Sequence, residues 1–293
     1  MKRLLSLFSG FLIFISVLPL CAQDLIKNSS VTGICYAGTK INKIYIPPPD
    51  EFFRKSSSKS GGSITIYYTG FSIQAKTAME YAATILKKML PADTKLTITA
   101  SWEKISTAGI LAQSSINGYA VGWGIDALNP EAVYPVSLAE KIAGKSINGD
   151  LEGDLQLTIN SSQPWYLGTD GQTPVSKFDL VTVALHEICH GLGFYDSFDT
   201  DGTLGWYGFG SLPLVYDTFV ENNLGNRLAD SLKFKNFSAA IKSQMTGDQL
   251  YFNGPLLKKY CVLNNISLTK AKLWTPPTWD DGSSISHLDE NKT

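Results

Sequence analysis

Two of the three histidines in this sequence lie four residues apart, in the stretch LHEICHGLGF at residues 185–194. On an α-helix this spacing places His186 and His190 on one face, one turn apart. Two neutral imidazoles in this arrangement can bind one Zn²⁺, and Glu187 between them can act as general base on a water molecule that the zinc activates. The motif therefore predicts a metal site on a helix.

Apolar residues around the motif recur with the period of an α-helix and predict an amphipathic, largely buried helix. These residues are Leu180, Val181, Ala184, Leu185, Ile188 and Leu192. Ser176 and Asp179 resemble a capping box at the start of this helix, and Gly191 and Gly193 are typical of its end. The predicted helix thus contains the whole motif.

The first 23 residues have the pattern of a cleaved secretory signal. Lys2 and Arg3 precede an apolar run at residues 4–20, and two small residues follow this run. The run is too short and too interrupted for a helix that spans a membrane. We therefore predict an exported protein, secreted or at the cell surface, with no permanent membrane span.

The formal net charge of the chain is −1, with no basic stripe and no acidic block. Binding to nucleic acid and electrostatic attachment to a membrane both need a concentration of positive charge. The sequence therefore predicts no nucleic-acid partner. The roughly 270 residues after the signal are enough for one large domain or for two lobes around a shared core.

Three cysteines follow the predicted signal: Cys35, Cys189 and Cys261. An odd number allows at most one internal disulfide, and Cys35 with Cys261 is the pair that avoids the motif. Cys189 is off the histidine face, and we interpret it as a small buried residue. Cys35 is a candidate for capping the metal before activation, because thiolates are good zinc ligands.

Alternating and helical patterns predict a sheet in the N-terminal part of the chain. Residues 24–62, with a proline run and a serine-rich stretch, are predicted to be a leader or linker. Regular structure is expected to begin at Ser63, with a strand, a crossover helix and a second strand in a βαβ arrangement. A later strand at residues 154–160 is expected to hold a substrate peptide through its backbone groups. We assign residues 63–194 to an N-terminal catalytic lobe with the zinc-binding helix, and residues 195–293 to a C-terminal lobe.

A catalytic zinc usually takes three protein ligands and one water molecule, so the motif needs a third ligand. Asp196 follows Gly193 at the spacing at which some related motifs place their last ligand. His287 is the only other histidine and lies nearly a hundred residues further along the chain. The residues alone leave both candidates open.

The sequence HEICHGLGF, followed after a long insertion by SISHLDE at residues 284–290, resembles the leishmanolysin-type metzincins and their secreted bacterial relatives. The stretches WYLGTDG at 165–171 and KLWTP at 272–276 are similar to such bacterial proteins. The resemblance covers residues 150–293. It implies an α+β fold with a twisted mixed sheet, an active-site helix and an irregular C-terminal lobe.

The same resemblance implies the ligands of the zinc ion. By it, His186, His190 and His287 bind the metal and Glu187 is the base, with Asp196 as the alternative third ligand. Metzincins also carry a methionine turn a few residues after the third histidine, and no methionine follows His287 here. The sequence is therefore expected to be truncated before that turn.

The resemblance implies a secreted zinc-dependent metalloendopeptidase, a hydrolase that acts on a protein or peptide substrate. The chain is expected to be a monomer. Two alternatives remain open: an exported zinc-containing adhesion or binding module without protease activity, and a hydrolase of a non-peptide amide. The acidic turn of Asp196, Asp199 and Asp201 is in addition a candidate for a structural Ca²⁺.

Overall fold

The computed structural model of the chain describes residues 25–26, 32–36, 61–125, 127–149, 153–210, 212–263 and 267–289. The predicted signal, residues 1–23, lies outside the described residues, as does most of the predicted leader or linker. Within the described ranges, no helix is both long and apolar enough to cross a membrane.

The α-helices of the described ranges vary from seven to seventeen residues in length. They are α1 (Ile73–Met89), α2 (Val136–Ala143), α3 (Leu180–Gly191), α4 (Ala239–Met245) and α5 (Pro255–Leu263), with short 3-10 helices at Gly122–Gly124 and Asp217–Phe219. Helix α1 begins where the Ser72 hydroxyl accepts a hydrogen bond from the backbone N–H of Ala75. Its buried residues recur every three or four positions, so the helix covers the sheet with one apolar face.

The β-strands are mostly short, and the longer ones belong to one sheet. The strands are β1 (Leu25–Ile26), β2 (Thr32–Tyr36), β3 (Ser63–Thr69), β4 (Lys95–Glu103), β5 (Ile110–Ile116), β6 (Tyr119–Val121), β7 (Val133–Pro135), β8 (Leu155–Asn160), β9 (Trp165–Tyr166), β10 (Phe178–Asp179), β11 (Asp199–Thr200), β12 (Gly205–Trp206), β13 (Val220–Asn222), β14 (Leu250–Phe252) and β15 (Ala271–Lys272).

The central sheet has five strands in the order β2-β5-β8-β4-β3. Strands β3, β4 and β8 are parallel, while β5 is antiparallel to β8 and β2 is antiparallel to β5. Helix α1 connects the parallel neighbours β3 and β4, which confirms the predicted strand–helix–strand order. The chain is therefore α+β with a mixed sheet, as predicted.

The main hydrophobic core lies between this sheet and helices α1 and α3, which pack against each other. Strand residues such as Ile98, Leu157 and Ile159 and helix residues such as Met79 and Ile188 are almost completely buried there. Burying a side chain of this size stabilises a fold by about 1.5–3 kcal/mol. The core therefore fixes α3, the helix of the motif, against the sheet.

Two predictions about strands are wrong. Strand β8 is hydrogen-bonded to β4 on one side and to β5 on the other, so its backbone groups are already paired and cannot hold a peptide as predicted for residues 154–160. Regular structure also begins before Ser63, since β1 pairs with β6 and β2 pairs with β5. The short stretch TGICY of β2 has no clear alternation of apolar and polar residues, and this explains why the strand was missed.

The residues after the motif form a second core of different composition. Strands β13, β14 and β15 form an antiparallel sheet there, and turns and loops make up most of the remainder. The buried side chains of this core are largely aromatic or large aliphatic: Phe198, Tyr207, Tyr216, Val220, Leu228, Ile241, Met245, Leu250, Leu273 and Ile285. Among the described residues, the two largest hydrophobic clusters thus span residues 64–188 and 198–285, on either side of Gly193.

Candidate metal centre

Three histidine side chains converge where helix α3 meets the irregular segment at residues 283–289. The Nε2 atom of His186 lies 3.0 Å from Nε2 of His190 and 3.0 Å from Nε2 of His287. Two nitrogen ligands of one tetrahedral zinc ion would lie about 3.3 Å apart, given bonds of about 2.0–2.1 Å. The spacing therefore suits one shared metal ion, and we call His186, His190 and His287 the histidine triad.

Hydrogen bonds behind two of these rings fix their tautomers. Nδ1 of His190 lies 2.8 Å from the carbonyl oxygen of Phe194, and Nδ1 of His287 lies 2.7 Å from that of Ser283. A carbonyl oxygen can only accept, so in the neutral rings each Nδ1 carries the proton and each Nε2 presents a lone pair to the centre of the triad. Metal-binding histidines are usually oriented by a bond of this kind.

Burial keeps the rings on helix α3 neutral, as metal ligands must be. Burial, together with the neighbouring rings of His190 and His287, lowers the pKa of His186 to about 2. Burial and the His287 ring lower the pKa of His190 to about 4, although the bond to Phe194 opposes this shift. Both imidazoles are therefore neutral at physiological pH.

Glu187 lies on α3 between two members of the triad, and its side chain is completely buried. Neither carboxylate oxygen has a hydrogen-bond partner, and burial raises the pKa of this carboxyl to about 8. The hydroxyl of Ser114 on β5 is close enough to moderate the rise, although its geometry is not that of a hydrogen bond. A buried carboxyl without partners costs free energy, which makes Glu187 a candidate functional residue.

Helix α3 sets the spacing of His186, Glu187 and His190. It begins at Leu180 because Asp179 is its N-cap, with a carboxylate oxygen that accepts a 2.7 Å hydrogen bond from the N–H of Thr182. The prediction of a capping box that starts at Ser176 is therefore wrong by three residues. The helix ends at Gly191, and Gly193 has a φ of +104°, which turns the chain toward the C-terminal region.

His287 lies in an irregular segment that is held by bonds to distant residues. The N–H of Trp274 donates to the carbonyl of His287, and the N–H of Ile285 donates to the carbonyl of Trp274, both at 2.9 Å. The Ser286 hydroxyl donates to the carboxylate of Asp196 and accepts a 3.1 Å hydrogen bond from the Asp196 N–H. These contacts bring the third histidine to α3 across 101 residues of chain.

Asp196, the alternative third ligand, lies behind the triad and not within it. Its buried carboxylate accepts hydrogen bonds from the N–H of Phe198, at 2.8 Å, and from Ser286. Burial, reinforced by the nearby charge of Asp217, holds the pKa of this carboxyl well above its usual range. Among the described residues, the group of converging ligand atoms contains His287 and does not contain Asp196. The structure thus places Asp196 as a support for the segment of His287.

The three cysteines occupy different environments, and none of them is in a disulfide. The Cys35–Cys261 pair considered from the sequence is therefore not formed. Cys189 is exposed, which corrects the prediction of a buried side chain, because it lies off the buried face of α3. Cys35 is at the site, since its Sγ and the ligand atoms of His186 and Glu187 lie within 4.8 Å of one another.

The acidic turn considered for Ca²⁺ does not gather its carboxylates. Asp199 and Asp201 each accept hydrogen bonds from backbone N–H groups of their own turn, and Asp196 is buried against Ser286. In the part of the chain that the structure describes, the groups able to hold a metal are the histidine triad and the cluster of Cys35, His186 and Glu187. The prediction of a structural Ca²⁺ therefore has no ligand cluster in the described turn.

Two residues at the site were missed by sequence reasoning. Ser114 lies on β5 beside Glu187, and Gly33 lies opposite Ser114 on β2. A Cβ atom on Gly33 would come within 2.9 Å of the Ser114 Oγ and 3.3 Å of the His190 ring. No motif or periodicity marks either residue, because their proximity depends on the pairing of distant strands.

Comparisons of the chain with protein-family models, with curated proteins and with solved structures find no match. The residues of the site and their geometry are therefore the basis on which a function can be inferred.

Proposed function

We propose that this protein is a secreted zinc-dependent metalloendopeptidase that resembles the leishmanolysin-type metzincins, and that it acts as a monomer on a protein or peptide substrate. One observation carries the proposal. Three Nε2 atoms converge on a common point, and the unpaired carboxylate of Glu187 is buried beside them. This is the donor set of a catalytic zinc site with a general base.

The donor set fits zinc in number and in type. Three neutral imidazoles leave one position of a tetrahedral ion for a water molecule or a substrate. Zinc bound there would lower the pKa of its water and polarise the carbonyl group of the scissile amide. The carbonyl groups of Phe194 and Ser283 hold the rings of His190 and His287 in the tautomer that this role requires.

Glu187 supplies the proton transfers in this proposal. Its carboxylate would take a proton from the attacking water at one oxygen and pass it to the nitrogen of the leaving amine. Packing of α3 against the sheet holds the carboxylate in place, and burial excludes bulk water from it. The role requires the ionised form, which a cation at the triad would favour over the neutral form.

The alternative is a structural metal site in an exported binding module. Cys35 is the feature that favours this alternative, because a thiolate is a good zinc ligand and the Cys35 Sγ lies within 4.8 Å of ligand atoms of His186 and Glu187. A structural site has no need of a base, however, and an unpaired buried carboxyl such as Glu187 would only destabilise it. For this reason we favour the hydrolase.

Hydrolysis of casein and of a fluorogenic peptide by the full chain tests the proposal, with and without a zinc chelator. Glu187→Gln keeps the shape of the side chain and removes the base, so it should reduce kcat by about 10²–10⁴-fold. Zinc content, measured by atomic absorption, should stay the same in this variant. Chelator-sensitive hydrolysis that persists in Glu187→Gln would contradict the assigned role of Glu187, and cleavage of a simple amide but of no peptide would favour the non-peptide amide hydrolase.

A further inference from the structure

A cleft of about 620 Å³ lies between the loop before β7 and the turns at residues 227–237. Its volume is that of a typical site for a small ligand. None of the described residues that line it belongs to the histidine triad or to helix α3. The cleft, which we call the polar cleft, is therefore separate from the candidate metal centre.

The charges that line the polar cleft balance each other. Among its described residues, the carboxylates of Glu131 and Asp230 are matched by the cations of Arg227 and Lys235, and Asn129 adds an amide. A nucleic acid or another polyanion would need an excess of positive charge. The lining therefore favours a ligand that is neutral and rich in hydrogen-bonding groups.

An exposed aromatic ring stands at this cleft. Phe237 is one of the lining residues, and 56% of its side chain is exposed. The ring stacks on Trp206, with the ring centres 5.5 Å apart and the planes at 13°. The face of an aromatic ring carries partial negative charge, so the C–H groups on one side of a sugar ring pack favourably against it. The pair therefore offers a stacking platform for a saccharide.

The backbone of Phe237 is strained, and the neighbouring residues hold it in place. Its φ is +56°, a left-handed conformation that is costly for a bulky residue. On one side, Ser238 and Gly205 exchange two backbone hydrogen bonds of 2.9 and 3.0 Å. On the other side, the Asn236 side chain bonds to both the N–H and the carbonyl of Tyr207. Strain of this kind is concentrated at functional sites, so it points to a binding role for the exposed ring.

Arg227 is a hydrogen-bond donor that is already held in place at the cleft. Its Nη2 donates a 3.2 Å hydrogen bond to the carbonyl oxygen of Asn253, and its Nε lies 3.7 Å from the carboxylate of Glu221. The guanidinium carbon is 5.8 Å from the centre of the Phe219 ring. Its Nη1 has no hydrogen-bond partner among the described residues. A guanidinium fixed in this way loses little conformational entropy when a ligand oxygen binds to it.

The backbone groups at the cleft are poorly suited to a peptide. A peptide that binds by strand addition needs a free row of backbone donors and acceptors. The N–H and the carbonyl of Tyr207 are both used by Asn236, and residues 228–237 form turns, bends and irregular backbone. Side chains and an aromatic face are what the polar cleft presents, and these are the groups that recognise a sugar.

We propose that the polar cleft binds a neutral oligosaccharide, with one sugar ring stacked on Phe237 and its hydroxyl groups bonded to Asp230 and Arg227. The carboxylate of Asp230 accepts hydrogen bonds from the sugar, and the guanidinium of Arg227 donates them. The site needs no metal and goes beyond the proposed function, since it would hold a glycan whether or not the triad hydrolyses peptides.

Binding of the full chain to an array of immobilised oligosaccharides tests the polar cleft without a measurement of hydrolysis. The array contains neutral oligomers of hexoses and of N-acetylhexosamines, and acidic oligomers of uronic acids. At least one neutral oligomer should bind more tightly than every acidic one, because the charges of the cleft cancel. Calorimetric titration with the soluble form of that oligomer then gives its affinity. Failure to bind any neutral oligomer, or binding of casein peptides in its place, would overturn the proposal.

Substitutions of Phe237 test the stacking platform. Phe237→Leu keeps an apolar side chain but loses the aromatic face, so it should weaken binding of the neutral oligomer by about tenfold. Phe237→Tyr keeps the face and should retain the affinity. Leu224→Ala changes an exposed apolar residue that is not among those lining the cleft and should have no effect. Equal affinity in Phe237→Leu and the unaltered chain would overturn the stacking role.

Phe237→Gly separates binding from folding. Glycine adopts a positive φ without strain, so the loss of the ring is offset and the temperature of unfolding should change by only a few degrees. Binding of the neutral oligomer should nevertheless fall as in Phe237→Leu. A large drop in the temperature of unfolding would show that the ring serves the fold, and would count against the proposal.

Removal of the metal distinguishes the polar cleft from the histidine triad. The affinity for the neutral oligomer should be the same with and without a zinc chelator, and the same in Glu187→Gln as in the unaltered chain, because no residue of the triad lines the cleft. An affinity that depends on zinc or on Glu187 would place the sugar at the metal centre and overturn the second site.

Discussion

Helix α3 and the segment at residues 283–289 both contribute to the histidine triad, but different forces position them. In α3 the distance between His186 and His190 follows from the helix itself, which the burial of one face holds in place. In the C-terminal segment no regular element positions His287. Its place depends on the backbone bonds to Trp274 and on the contact between Ser286 and Asp196.

The contrast shows how one site can combine local and tertiary geometry. Two histidines of the triad and Glu187 are positioned as soon as α3 forms, whereas His287 reaches them only when the two hydrophobic clusters have come together. Changes that act on local helix geometry and changes that act on tertiary contacts should therefore have separable effects.

Removal of one ligand from each region should have the largest effect. His190→Ala and His287→Ala should each weaken zinc binding by about a hundredfold or more, since a complete structural zinc site is worth about 10–16 kcal/mol in total. Calorimetric titration of the metal-free protein with Zn²⁺ measures both losses. Cys189→Ser, on the exposed face of the same helix, should leave the affinity unchanged. Unchanged affinity in His287→Ala would mean that the C-terminal region has no part in the metal site.

Helix α3 and the buried carboxyls around Asp196 should respond to pH in opposite directions in the metal-free protein. The pKa values of His186 and His190 are lowered chiefly by burial, so their contribution to stability is present above about pH 6.5 and is lost as the pH falls. Burial raises the pKa of Asp217, near Asp196, to about 7. The contribution of Asp217 to the stability of the fold is therefore complete below about pH 4 and is lost as the pH rises toward 7.

Asp217→Asn isolates the second of these trends. The free energy of unfolding of the unaltered protein, relative to this variant, should fall by a few kcal/mol between about pH 4 and about pH 7. Urea unfolding at both ends of the range measures the difference. A difference independent of pH would mean that Asp217 is ionised in the folded protein, against the effect of its burial.

Loss of the Ser286 hydroxyl should lower zinc affinity through its effect on the position of His287 alone. Ser286→Ala removes both contacts with Asp196, so zinc affinity should fall by about 10–100-fold, as for other residues that support a metal ligand. Ser283→Ala is the matched control, because His287 uses only the backbone carbonyl of Ser283. The same zinc titration distinguishes the two variants, and equal losses in both would show that the hydroxyl of Ser286 has no special role.

The smallest effect is expected at the start of helix α3. Asp179→Ala removes the N-cap and should lower the free energy of unfolding by about 1 kcal/mol, while zinc affinity stays nearly the same because packing holds the helix. Ser176→Ala, three residues earlier, should change neither quantity. Thermal unfolding and zinc titration of the two variants provide the test. A large loss of zinc affinity in Asp179→Ala would show that the helix geometry depends on its cap.

The parts of the site that depend on local geometry could be predicted from the sequence. The spacing of His186, Glu187 and His190 and the apolar pattern around them indicate the helix directly. The prediction that His287 binds the metal, by contrast, rested only on a family resemblance, because residue spacing left Asp196 as an alternative. The contact that places Asp196 behind the triad and His287 within it joins Ser286 to Asp196 across 90 residues. No sequence periodicity indicates such a contact.

Strand pairing explains most of the errors. Periodicity indicates that residues 155–159 form a strand, but it does not indicate which neighbours that strand has, and β8 turned out to be interior. In the same way, the pairing of β2 with β5 joins segments about 80 residues apart in sequence. The role of a segment in a sheet depends on such distant partners, so the segment's own residues do not reveal it.

The late position of His287 has a consequence for the order of events in the cell. Synthesis at about 5–20 residues per second places the third histidine roughly 5–20 seconds behind His186, which precedes it by 101 residues. Until then a growing chain has only two of the three ligands. If the protein is exported as its synthesis proceeds, His186 and His190 cross the membrane before His287, so the triad can assemble only on the far side of the membrane.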